Sequence, residues 1–415
     1  MLQSSLLAVA ARDAMMVNLN EYAEGSQACA QIPQAAGSEQ CVPPNGHVWL
    51  NGLFHKTGTY LVMDIMAAIG GGGAHYAYAV GDLEHKHRNE LSPREYGPHE
   101  HACHQSQNYV GPDCALAMNA SRARALVAAE PLLPFSTQTE IQDAISETYS
   151  ATGLSVKLML WHRDPLQRTL SAYGYHLAGT EQWMRDAPSP IVARLHKACQ
   201  DARKGVGWLP PYNPAADVEL CAALNVVLKR ERTGRKADGK ADGTGGGKGG
   251  GKSGGKSGEG KGGGKGGGGK GAHREISYTQ LLALLSVEHG GLLTAWYLHN
   301  SHVEMARLHS LVSAGDGFSV IADLDSTMAD CHASFTRLFS AIGLEESGGT
   351  LSACVELGCA KIEAGKSSHH ATSSLTSAKG GANVLAARQR LREWLPRAPW
   401  FREHVQPLRV RMGYA

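Results

Sequence analysis

The 415-residue chain has no Cys-x-x-Cys pair. Its nine cysteines (Cys29, Cys41, Cys103, Cys114, Cys199, Cys221, Cys331, Cys354 and Cys359) are odd in number and widely spread. Their spacing therefore defines no disulfide framework. A secretory-lumen enzyme with two or three bridges and a cytosolic enzyme with free thiols both stay open. The chain also lacks any run of about 20 apolar residues, so no transmembrane helix is visible. Its apolar start, MLQSSLLAVAARDAMM, has no basic residue ahead of it and makes a weak signal peptide. A strong net charge is missing too. The 40 basic and 38 acidic residues leave +2. Residues 234–271 hold nine Lys/Arg and three Asp/Glu, a net +6, so the remainder carries +2 minus +6, or −4. The basic excess sits in a tail-like segment, and no nucleic-acid partner is expected for the folded part.

That segment belongs to a Gly/Lys low-complexity insertion over residues 231–272. Glycine at this density cannot offset chain entropy, and nothing apolar is there to bury. The stretches GGKGGGKS (Gly246–Ser253) and GGKSGGKS (Gly250–Ser257) match the nucleotide P-loop pattern letter for letter. Neither follows a strand or opens a helix, so both are chance products of the repeat. The insertion divides the remainder into residues 1–45, an irregular lead-in, and two ordered stretches, 46–230 and 273–415.

Within the ordered stretches, apolar runs alternate in type. HVWLNGLF (His47–Phe54) reads as a strand, and TYLVMDIMAAIG (Thr59–Gly70) as a helix with Leu61, Ile65 and Ile69 on one face. AHYAYAV reads as a second strand, Val156–Trp161 as another, and GFSVIADL (Gly317–Leu324) as a late one. ISYTQLLALLSVEHG and LLTAWYLHNSHVEMARLHSLV read as two amphipathic helices. DSTMADCHASFTRLFSAIG reads as a helix capped by Asp325 or Ser326, and VLAARQRLREWL as another. APWFREHVQPLRVRMGY adds one more. Strands alternating with helices indicate an α/β fold with a central, mostly parallel sheet.

Two short stretches carry chemistry. LFHKTGT (Leu53–Thr59) places a lysine in a Gly-containing turn between a strand and a helix N-terminus. Free N–H groups and the positive helix end make such a turn a ready anion site. Lys56 precedes Gly58, whereas an ATP-type P-loop sets its lysine after the second glycine, so the kinase arrangement is not met. The second stretch is VKLMLWHRDPLQRTLSAYGYHL (Val156–Leu177). Arg163 leaves the carboxyl end of a strand, where open α/β sheets bind ligands. Pro165 fits the first turn of the following helix, and Ser171 lies about two turns into it. An Arg and a hydroxyl so placed suit a phosphate dianion.

Together, FHKTGT and HRDPLQRTLSAYGYH resemble the sulfotransferases that use 3′-phosphoadenosine 5′-phosphosulfate (PAPS), in their carbohydrate-type branch. The likeness spans roughly residues 46–412. It implies a P-loop-like three-layer sandwich. It also implies that Lys56, Thr57, Gly58, Thr59 and Tyr60 wrap the 5′-phosphosulfate while Arg163 and Ser171 grip the 3′-phosphate. Tyr60 departs from the family pattern, in which Thr or Ser is common. Lys56 would stabilise the departing phosphate oxygen during in-line sulfuryl transfer to a hydroxyl, in a mechanism expected to need no metal. GKSSHHATSS (Gly365–Ser374) is similar to the late loop that closes over the nucleotide, with Lys366 as its cation.

The base that takes the acceptor proton is sought in YAVGDLEHKHRNE, where Glu84 and His85 are the candidates beside Asp82, His87 and Glu90. HEHACH (His99–His104), with Cys114 downstream, does not match a standard zinc spacing and reads as a His-rich substrate-facing or surface loop. The resemblance implies a sugar hydroxyl as acceptor and a Golgi-lumenal setting. Such enzymes carry an N-terminal anchor that this chain does not show, and a soluble cytoplasmic enzyme is the alternative. A P-loop small-molecule kinase and a non-catalytic nucleotide- or glycan-binding relative are the rival functions.

Overall fold

The computed structural model describes residues 47–54, 56–58, 61–62, 64–66, 74–78, 110–120, 125–129, 135–179, 182–187, 189–203, 218–238, 276–312, 319–344, 350–367 and 381–414. The chain divides into two compact units, one made of Met1–Gln182 with Gly291–Ala415 and the other of Trp183–Gly290.

Among the described residues, the first unit is built on five strands: β1 (His47–Leu53), β2 (Ala74–Tyr78), β3 (Ala125–Ala129), β4 (Ser155–His162) and β5 (Ser319–Asp323). They form one sheet in the order β2-β3-β1-β4-β5, and every neighbouring pair is parallel. β1 and β4 are near-continuous apolar runs, as strands covered on both faces must be. Their alternation sorts side chains into two cores. Val48, Leu50, Val156, Leu158 and Leu160 enter one, while Trp49, Leu53, Met159 and Trp161 enter the other.

Helices supply the other side of each core. Among the described residues, the helices of this unit include α1 (Pro112–Ala120), α2 (Gln138–Thr152), α3 (Pro165–Ala178), α4 (Val287–Val312, in this unit from Gly291 on), α5 (Leu324–Ala329), α6 (Cys331–Ala341), α7 (Thr350–Ser367), α8 (Gly381–Trp394), α9 (Pro399–His404) and α10 (Gln406–Arg411). The first core takes Cys114 of α1, Ile141 and Ile145 of α2, Met305 of α4 and Leu408 of α10. The second takes Val62 and Ile65 from the helical residues after β1, with Phe335 and Leu338 of α6 and Ile362 of α7. Each such apolar side chain removed from water contributes about 1.5–3 kcal/mol. Aromatic packing orders the second core: Phe335 stacks on Phe339 at 5.1 Å between centroids, and Trp49 on Phe339 at 6.5 Å. Buried Trp161 keeps its polar edge satisfied by donating Nε1–H to Asn51 Oδ1 at 3.2 Å.

Several element boundaries differ from the sequence reading. DSTMADCHASFTRLFSAIG forms two helices, not one, and their caps are Asp323 and Asp330 rather than Asp325 or Ser326. The Asp330 side chain accepts from Ala333 N–H at 3.1 Å, so an acceptor in mid-segment restarts the helix. The C-terminal segment likewise divides into α9 and α10, each with proline in its first turn. In the second unit, Pro190–Arg203 and Val218–Asp238 are helices joined by the Cys199–Cys221 disulfide. The second of them runs to Asp238, past residue 231, where the sequence places the start of the Gly/Lys segment. Residues 1–46 and 239–275 lie outside the described residues. Among the described residues, no helix is long and apolar enough to cross a membrane.

The topology positions a site. After β1 the chain crosses to β2 at one edge of the sheet, and after β4 it crosses to β5 at the other. Adjacent parallel strands whose exits diverge leave a crevice beyond their carboxyl ends, where open α/β sheets take ligands. β1 delivers the Phe54–Gly58 turn there, and β4 delivers Arg163.

Candidate functional site

The turn after β1 is held by its own threonine. Thr57 is buried, and its N–H donates to Phe54 O at 2.9 Å. Its hydroxyl accepts from Phe54 N–H at 2.8 Å and donates to Phe54 O at 2.6 Å. Both polar groups of Thr57 thus face inward and shape the turn. Lys56 takes a positive φ of 65° and Gly58 one of 83°. A left-handed lysine is costly and occurs where surrounding structure enforces it, commonly at functional sites. Gly58 is needed twice over: a Cβ there would also lie 3.0 Å from Leu324 Cδ1. Val62 N–H donates to Gly58 O at 2.9 Å, which ties the turn to the helical residues that follow.

The strained backbone aims Lys56 at α3. Its Nζ stands 2.9 Å from the centroid of the Tyr175 ring, a cation–π contact. His176, the next residue, is fully buried and packs edge-on to Tyr297 at 5.5 Å. Burial first, and the Lys56 charge second, hold its imidazole well below the usual histidine range, so it is neutral. Beneath the turn, fully buried Arg168 donates Nη2–H to Ser301 Oγ and lies 5.7 Å from the Phe54 ring centroid.

The exit of β4 splits two neighbouring residues between two roles. Asp164 caps α3, accepting from Leu166 N–H at 2.9 Å. It also receives Arg409 of α10 in a two-pronged pair, Nε to Oδ1 at 2.7 Å and Nη2 to Oδ2 at 2.9 Å. Arg163 instead pairs with Asp325 of α5: Nε meets Oδ1 at 3.0 Å and Oδ2 at 3.1 Å, and Nη2 meets Oδ1 at 2.8 Å. Arg388 of α8 is half-buried. Its pKa is lowered first by burial and then by the charges of Arg163 and Arg392. Arg392 donates to Gln167 Oε1 at 3.4 Å, which ties α8 to the first turn of α3.

A further polar cluster closes the ends of β4 and β5. Tyr414 donates its hydroxyl proton to Asp323 Oδ2, and its oxygen lies 2.8 Å from His162 Nδ1. Asp323 is held below its ordinary pKa: bonds from Ser326 and Tyr414 outweigh burial. It can only accept, so the Tyr414 proton goes to it and His162 Nδ1–H donates to the Tyr414 oxygen. Burial depresses His162 to about 4 against the opposing pull of Asp323, with His309 pressing the same way as burial. His309 packs edge-on at 4.8 Å.

Of the residues singled out from sequence, Lys56, Thr57 and Gly58 form the turn, and Arg163 stands at the end of the adjacent strand. Ser171 is half-buried on α3. Lys366 falls in the last turn of α7 rather than in a loop. Thr59, Tyr60, Glu84, His85 and His99–His104 lie outside the described residues. Sequence reading missed Tyr175, Asp325, Arg388 and Arg392. The only signal for the last two was their i, i+4 spacing, which puts both on one helix face.

Two findings concern the cysteines. All six described ones, Cys114, Cys199, Cys221, Cys331, Cys354 and Cys359, are disulfide-bonded. The expectation of a metal-free protein is corrected at one of these bonds. Cys331, His332 and Cys359 bring one ligand atom each within 4.8 Å of one another, a grouping that can hold a metal ion. The structure joins Cys331 to Cys359 as a disulfide, so the metal-competent form is the reduced one. Their distance in sequence, 28 residues, hid the group from a search by motif spacing.

No family model, curated protein or solved structure matches this chain.

Proposed function

We propose that the crevice between the ends of β1 and β4 binds a nucleotide carrying phosphates on both ribose edges, and that the protein is a PAPS-dependent sulfotransferase of P-loop-like, three-layer build. One observation carries the reading. The strained Lys56 turn and Arg163 leave adjacent parallel strands at the topological switch point, so two basic groups from distant sequence address one crevice. On this reading Lys56 moves from the Tyr175 ring to the bridging oxygen of the phosphosulfate and draws off the charge that grows there. Arg163 and Ser171 hold the 3′-phosphate. The acceptor is a carbohydrate hydroxyl, and Glu84 or His85 takes its proton. The disulfides support an oxidising compartment such as the Golgi lumen.

A second reading is a nucleotide-binding relative without turnover. It is favoured by the engagement of both cations inside the protein, Lys56 with Tyr175 and Arg163 with Asp325. Calorimetric titration with 3′-phosphoadenosine 5′-phosphate, beside Mg-ATP, tests what the two readings share. Tight binding of the bisphosphate supports both, and radiolabelled sulfuryl transfer to a sugar panel then separates them. Binding of Mg-ATP with no response to the bisphosphate would move the protein to the kinases.

A further inference from the structure

We propose that Asn119 is an N-glycosylation site and that the first sugar of its oligosaccharide lies over Leu116. The inference is independent of the nucleotide reading above. Asn119-Ala120-Ser121 is the sole Asn-x-Ser/Thr triplet in the chain, and its middle residue is not proline. Asn119 falls in the last turn of α1. That helix sends Cys114, Ala115 and Met118 into the first core, while Asp113, Leu116 and Asn119 are exposed. The exposed three recur at spacing three and so share one solvent face. A bulky, hydrated group attached there meets water and leaves the core undisturbed.

The same helix carries a separate mark of the compartment. Cys114 is disulfide-bonded, as are the other five described cysteines. Such bonds persist in the oxidising secretory lumen, where oligosaccharides are joined to asparagine. In that step the Asn119 amide nitrogen bonds to the anomeric carbon of an oligosaccharide carried on a lipid pyrophosphate. The carbon–oxygen bond to the pyrophosphate breaks, the lipid pyrophosphate leaves with the electron pair, and the amide gives up one proton. Side chains on a helix lean toward its N-terminus, so a group on Asn119 covers the preceding turn, where Leu116 stands. Leu116 is 49 % exposed, and the apolar face of a sugar ring laid on it takes that surface out of water.

The test expresses the full chain in a mammalian secretory host behind a cleavable signal peptide and collects it from medium and lysate. Peptide-N-glycosidase should shift the wild-type band by a single glycan and convert Asn119 to aspartate, read by tryptic mass spectrometry. Asn119→Gln and Ser121→Ala should each abolish the shift, and Ser121→Thr should keep it. Loss of the glycan through Ser121→Ala should lower the thermal midpoint, and should lower it clearly less in a Leu116→Ser background. A wild-type band that does not shift, or a shift that survives Asn119→Gln, overturns the site. Equal midpoint losses in the two backgrounds overturn the placement of the sugar over Leu116.

Discussion

Asp164 and Arg409, 245 positions apart in sequence, meet in a two-pronged ion pair whose side chains are 11 % and 9 % exposed. The pair fastens α10 to the exit of β4, beside the residue assigned to the ligand. Removing one partner strands a buried charge, which costs about 3–5 kcal/mol. Arg409→Ala and Asp164→Ala are each expected to lower stability by about that much in urea titration, and the double variant by clearly less than the sum. Additive losses would show that the two residues act separately.

The Gly58 turn makes a second prediction, because two glycines with similar backbones differ in their surroundings. Gly58 has φ +83°, and a Cβ added there would stand 3.0 Å from Leu324 Cδ1, while Gly153 has φ +70° and nothing within 4 Å. Gly153→Ala should cost about 1 kcal/mol for the left-handed backbone alone. Gly58→Ala should cost more, about 2–3 kcal/mol, because Leu324 must also shift. Equal thermal shifts for the two would remove Leu324 from the account of the turn.

How much of this was legible in the sequence follows from how local each signal is. The Lys56 turn and the Arg163 exit could be placed because each follows an apolar strand and precedes a helix, all within a few residues. The Arg163 partner could not, because Asp325 lies 162 positions away and reads locally as a helix cap. Asp330 did carry a local signal, an aspartate three residues before an alanine N–H, but the continuous helical pattern around it masked the break. Arg388 and Arg392 read only as part of one more helix. Only the docking of α8 on α3 brings Arg392 to Gln167.

Acid should weaken the first unit through His162. Its pKa is about 4 in the fold against an ordinary 6.5, so the unfolded chain binds the extra proton between those values. Stability from this group is full above pH 6.5 and is lost as the pH falls toward 4, to a total of about 3 kcal/mol. Asp323, also depressed, adds a loss in the same direction below its ordinary pKa of 3.8. His162→Gln should flatten the stability profile between pH 6.5 and 4. A variant profile as steep as the wild type would place the acid sensitivity in another group.

The Cys331–Cys359 bond predicts a redox-dependent metal response. A dithiol reductant supplies two electrons and two protons to open it, giving two thiols beside His332, whose Nδ1 lies 3.7 Å from Glu356 Oε1. Zinc added to the reduced chain and followed by gel filtration and elemental analysis should remain bound, displacing the thiol protons. His332→Ala should lower that retention, and the oxidised chain should retain none at this site. Retention by the oxidised chain, or indifference to His332→Ala, would place the zinc elsewhere.

The most direct measurement is a crystal structure of the protein with 3′-phosphoadenosine 5′-phosphate bound at saturation. The expected result is Lys56 withdrawn from the Tyr175 ring to the 5′-phosphate, and Arg163 turned from Asp325 to the 3′-phosphate. Lys56 still on Tyr175 and Arg163 still on Asp325, with the nucleotide bound away from the ends of β1 and β4, would contradict the proposed site.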